Sequence, residues 1–182
     1  MVTAREAAGE ALPPAPRSPR MVALPHDAQE LYRDERVAFF AAGEAFFVRW
    51  VDTPTMRQMQ AMADVARPYE AVVPGGCGLF NLVVSGKANF SPEFRGRASE
   101  VSRDPTRFRR FRTHVILIDG LRAVTVQLFV NTFARLAGAP VPTTAVRSVE
   151  DSCSWAAPHL QGAGWTIEAL QRVHAQVLDE SS

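Results

Sequence analysis

Two short runs, LFNLVVSG (79–86) and THVILIDG (113–120), restrict the possible folds of this chain more than any other feature. Both are nearly unbroken in apolar residues. A strand with one face in water alternates polar and apolar side chains, so such runs suit strands covered on both faces, as in a parallel sheet flanked by helices. Between them lies SPEFRGRASEVSRD. Here Ser91 can cap a helix, Pro92 fits its first position, and Phe94, Ala98 and Val101 fall on one face before Asp104-Pro105 stops it. Strand, helix and strand in that order imply parallel pairing through a right-handed crossover.

The pattern continues on either side. RVAFFAAGEAFFVRWVD reads as two strands turning at Gly43-Glu44. In DTPTMRQMQAMADVARP, Thr53 is placed to cap a helix and Pro54 to enter it. Met56, Met59, Ala63 and Ala66 share a face, and Pro68 is expected to close the helix. LRAVTVQLFVNTFARLAG predicts a helix ending at Gly138, and PTTAVRSV a short strand. SVEDSCSWAAPHL predicts a helix with Ser148 and Asp151 as an approximate capping box. In GWTIEALQRVHAQVLDESS, Thr166 caps and Trp165 staples onto Leu170, while Ile167, Leu170, Val173, His174 and Val177 form an inward face. The expected architecture is α/β, with a mixed, mostly parallel sheet of about five strands and about four helices plus a C-terminal helix. Residues 1–27, rich in Ala, Pro and Arg, read as a flexible tail in which Met21 is an alternative start. Residues 28–161 form the α/β domain, and 162–182 an amphipathic helical extension.

Charge and cysteine usage narrow the function classes. The formal net charge of the 182 residues is +1, too small to draw the whole chain to nucleic acid or a membrane. Lys87 is the only lysine. Cys77 and Cys153 match no disulfide framework or metal motif, and a cytoplasmic protein without cofactor is expected. No apolar stretch approaches the roughly 18 residues of a membrane helix. GGCGLF places Cys77 where a nucleophile could sit, but His114 reads as a strand entry and His159 as a helix end, so no base with an orienting partner is evident. PGGCG precedes a strand rather than opening a helix, unlike a phosphate-binding loop. A non-enzyme is expected.

SRDPTRFRRFRTHVILIDG (102–120) carries the densest charge. Arginines interleaved with aromatics are the composition of a strand-tracking nucleic-acid surface, but a domain with such a role is usually strongly basic. Phe108 and Phe111, three apart, can both pack inward while the arginines stay solvated. The run therefore reads mainly as a connector, with Arg107, Arg109 and Arg110 as candidates for docking an acidic protein partner.

Three stretches resemble the STAS fold in its divergent branch, the SpoIIAA-like (STAS-like) bacterial proteins. LFNLVVSGKANFSPEFRGRA is similar to that family's central strand, loop and second helix. THVILIDGLRAVTVQLFVNTFARLAG is similar to its fourth strand and third helix, and AVRSVEDSCSWAAPHL to its closing strand and helix. The resemblance covers about residues 36–160 and implies a non-enzymatic regulatory or scaffolding module that binds a protein partner, a second copy of itself included. A small-ligand or nucleotide sensor is the alternative. In anti-anti-sigma relatives a serine at the start of the second helix, after the central strand, is phosphorylated by a partner kinase. Here the matching loop is SGKANFSPE, with Ser85 and Ser91 as counterparts and Lys87 and Asn89 as further polar candidates, and it lacks the D-S-S/T-G pattern. Such a loop lies beyond the carboxyl end of a central strand, where open α/β sheets bind ligands.

Overall fold

The computed structural model describes residues 27–86, 91–138 and 140–179. Among the described residues six strands form one sheet in sequence order: β1 (Gln29–Arg33), β2 (Val37–Ala42), β3 (Ala45–Trp50), β4 (Gly78–Val83), β5 (Arg112–Ile116) and β6 (Thr143–Val146). β1, β2 and β3 are antiparallel, and β3 to β6 are parallel. The hairpin turns at Gly43-Glu44 as expected, closing on the pair Ala42 and Ala45. Helices α1 (Met56–Val72), α2 (Pro92–Arg103) and α3 (Leu121–Ala137) link the parallel strands. Every step moves one strand in the same direction, so crossovers of one hand place these three helices on one face. Among the described residues β6 is followed only by helical elements, α4 (Val149–Ala156), a short 3₁₀ turn at Ala157–His159, and α5 (Ile167–Asp179). These cover the opposite face.

The strands sort their side chains between the two layers with period two. Val37, Phe39 and Ala41 of β2 and Phe46, Val48 and Trp50 of β3 meet Met59, Met62 and Ala66 of α1. Ala38, Phe40 and Ala42, with Phe47 and Phe80, meet Cys153 and Ala156 of α4 and Leu170, Val173 and Val177 of α5. Helix α5 is thus part of the core rather than an appendage. Its Thr166 cap accepts the Ala169 amide at 3.1 Å, while Ile167, expected inside, is exposed. Gln176 on α5 accepts the Ala28 amide at 2.9 Å, tying down the start of the described chain. Residues 1–26, on which the expectation of a flexible tail falls, lie outside the described residues.

Three local expectations are corrected. The sheet has six strands, because β1, whose polar QELYR carries no strand alternation, pairs at the edge with an irregularity between Glu30 and Tyr32. Charged, bulged edges of this kind discourage further pairing. Helix α1 starts at Met56 and not near Thr53. The Thr55 amide finds Gln58 Oε1 at 3.2 Å, and Gln58 Nε2 in turn donates to Asp34 at 2.9 Å. Met56 is exposed there, and Met62 takes the inner position. Pro68 lies inside α1 instead of closing it. A mid-helix proline costs about 3 kcal/mol. The turn it begins is pinned from outside, however, by Tyr69 donating to Gly43 O at 2.5 Å and by Glu70 pairing with Arg107 at 2.5 Å. Among the described residues no helix is long and apolar enough to cross a membrane.

Candidate functional site: a cavity under helix α2

Helix α2 packs sideways on α1 and α3 and stands off the sheet. Its sequence explains why. Phe94 is its only buried residue, and the other apolar positions facing inward, Ala98 and Val101, are small and only partly buried against the core. A cavity of about 150 Å³ remains, floored by β3, β4 and β5, roofed by α2 and walled by Met59, Met62 and Val126. Apolar side chains make most of its surface, as in small-molecule sites generally.

The floor is not wholly apolar. Trp50, Asn81 and His114, on three adjacent strands, form a hydrogen-bonded chain. Trp50 Nε1 donates to Asn81 Oδ1 at 2.5 Å, and Asn81 Nδ2 lies 2.9 Å from His114 Nδ1. An indole can only donate, so the Asn81 oxygen must face Trp50 and its amide nitrogen must face His114. His114 Nδ1 therefore accepts, and the ring proton sits on Nε2. Burial pushes the His114 pKa down to about 4, with the Arg112 charge adding to the effect, so the ring is neutral at neutral pH. No described residue accepts a hydrogen bond from Nε2. At the mouth, Asp52 pairs with Arg36 at 2.9 Å.

Of the residues singled out from sequence, Ser85 lines this cavity at its mouth and is exposed. Ser91 caps α2, accepting the Phe94 amide at 3.1 Å. Lys87 and Asn89 lie outside the described residues. The arginine run departs most from expectation. Arg107 is buried against Glu70, and Arg110 Nη2 pairs with Glu44 at 2.7 Å with its side chain only 6% exposed. Arg110 also donates to Gly76 O at 2.6 Å and Pro74 O at 2.9 Å. Glu44 accepts the Gln161 and Gly162 amides at 2.8 Å each. These two guanidiniums knit loops together, and only Arg109 of the three candidates is exposed. Phe108 and Phe111 are fully buried, as expected, but in opposite layers. Phe108 adopts a left-handed φ of 46° and its amide donates to Glu70 Oε1, which turns the chain between the two layers.

Cys77 is fully buried, and burial together with the nearby Glu70 charge raises its pKa well above that of a free thiol. That is the reverse of what activates a nucleophile. Asn81, His114, Arg112 and Trp50 were missed as site residues. Their signal was present, because Asn81 and His114 are polar residues on the same face of two strands otherwise rich in apolar ones. Comparisons with protein-family models, with curated proteins and with solved structures find no match for this chain.

Proposed function

We propose that this protein is a non-enzymatic, STAS-like module that binds a small, largely apolar molecule in the cavity under α2. The carrying observation is an apolar cavity with a polar chain, Trp50–Asn81–His114, set into its floor. A purely structural core has no need of polar groups there, since each must be satisfied to avoid a desolvation cost. The volume suits a benzene-sized ligand and is too small and too apolar for a nucleotide. Element order supports the STAS-like part of the reading, and the inert Cys77 supports the absence of catalysis. Benzyl alcohol titrated into the full chain by calorimetry is the test. It should bind, and Ala98→Leu, which fills the cavity from α2, should abolish binding while leaving the circular dichroism spectrum unchanged. Equal binding to both proteins refutes the site.

A second reading, association with another copy of the chain, draws on helix α3. Val124 and Leu128, one turn apart, are 42% and 61% exposed, an apolar pair that water does not favour. Sedimentation of the parent and of a Val124→Ser/Leu128→Ser variant decides it, since only the parent should dimerise.

A further inference from the structure

The cavity is electrically lopsided. At the first residues of β5 and β6, Arg112 and Thr143 stand opposite each other, and both line the cavity. Arg112 is 4% exposed. Its Nη1 donates to Ser102 O at 2.5 Å, and its Nη2 to Asp104 O at 2.9 Å and Arg107 O at 2.7 Å. All three acceptors are neutral carbonyls. The neighbouring carboxylates take their hydrogen bonds elsewhere, Glu70 from Arg107 and the Phe108 amide, and Asp104 from the Thr106 amide and hydroxyl, so their charges reach Arg112 only through space. Asp52 also lines the cavity, but its charge is matched by Arg36. No described carboxylate forms an ion pair with Arg112, and its buried Nε has no hydrogen-bond partner.

Two residues along the same strand and on the same face, His114 holds its Nε2–H without an acceptor among the described residues. A buried cation that meets its nearest carboxylates, Asp104 and Glu70, only through space keeps part of its field, and a part-buried N–H lining a cavity is open to an acceptor that enters it. One end of an apolar cavity thus presents both unmet needs of an anion: a positive field and an N–H.

We propose that the cavity selects small apolar monocarboxylates over neutral or cationic molecules of the same shape, the carboxylate accepting the His114 Nε2–H in the field of Arg112. The inference rests on reading the cavity as a ligand site and adds its selectivity. It separates from that reading in a matched series of benzoate, benzyl alcohol and benzylamine, each titrated calorimetrically into the full chain. Benzoate is expected to bind at least tenfold more tightly than benzyl alcohol, with benzylamine not binding. Benzyl alcohol binding as tightly as benzoate, or more tightly, overturns the carboxylate selectivity while leaving the apolar site intact. No binding by any of the three overturns both. Binding of benzoate that survives Ala98→Leu places it outside the cavity and also overturns the proposal. His114→Phe keeps the ring and removes the donor, so the ratio of benzoate to benzyl alcohol affinity should fall at least fivefold, and an unchanged ratio overturns the role of His114. That variant leaves the Asn81 amide without its partner, and should it not fold, the ratios measured on the parent decide alone.

Discussion

Replacing His174 with Leu isolates the acid sensitivity of the layer under α4 and α5. His174 is fully buried, edge-on to the rings of Phe47 and Phe80 at 5.2 and 4.8 Å. Its Nδ1 lies 2.8 Å from Leu170 O, so Nδ1 carries the proton, and Nε2 is left as a buried acceptor with no partner. Burial lowers its pKa from 6.5 to about 4. Above pH 6.5 the ring is neutral in both folded and unfolded chains and adds no pH dependence. As pH falls towards 4 the unfolded chain takes up the proton and the folded chain does not, so stability drops. Below about 4 the loss levels off. At 1.36 kcal/mol per pH unit, the drop is about 3 kcal/mol. His114, also lowered to about 4, adds a similar loss in the same window. Asp34 and Asp104, whose pKa values are lowered, contribute stability that is lost at more acid pH, but equally in parent and variant. His174→Leu gives up a hydrogen bond worth about 1 kcal/mol and removes an unsatisfied buried acceptor that costs about 1–3 kcal/mol, so at neutral pH it should be close to the parent. Urea unfolding at about pH 7.5 and about pH 4.5 measures both. The variant should lose about 2.5 kcal/mol less than the parent over that interval, which stops short of the full window. An identical loss in the two proteins refutes the buried, neutral state of His174.

The salt bridges give a sharper contrast than the sequence suggested. Arg109→Gln, at an exposed site, should change stability by less than about 0.5 kcal/mol, whereas Arg110→Gln leaves the part-buried Glu44 with only its two backbone amide donors and should cost about 2–3 kcal/mol by urea unfolding. Glu70→Gln, which strips Arg107 of its partner and weakens the acceptor of the Phe108 amide, should cost a similar amount and increase proteolysis around Phe108. Gly78→Ala would set its new methyl 2.2 Å from the Phe111 ring, and the overpacking should lower stability by roughly 1–3 kcal/mol or more, read as a fall in melting temperature.

How much of this was legible beforehand varies with the physics behind each feature. The α/β class, the hairpin at Gly43-Glu44, the caps at Ser91, Ser148 and Thr166 and the burial of Phe108 and Phe111 all follow from interactions within a few residues of each other. Caps and turns need only local hydrogen bonds, and a buried strand announces itself by composition. The start of α1, its passage through Pro68 and the edge strand β1 were not legible. The two features of α1 are stabilised by residues distant in sequence, Asp34 holding Gln58, and Gly43 and Arg107 holding the last turn, whereas β1 pairs with its sequence neighbour β2 through a segment too polar to read as a strand.

The candidate site divides along the same line. The polar interruptions at Asn81 and His114 were written in the chain, but a lone polar residue in a strand says nothing of its neighbour until the register is known. Parallel pairing sets Asn81 beside His114, and Trp50 reaches Asn81 from the next strand. The arginine run shows the converse. Its charge was visible, but whether a guanidinium meets water or a carboxylate depends on what the fold delivers to it, and Glu70 and Glu44 come from 37 and 66 residues away. The cavity itself belongs to tertiary structure alone. It lies between the sheet and α2, which rests on its neighbouring helices and buries Phe94 alone, and no local pattern encodes the space between two elements.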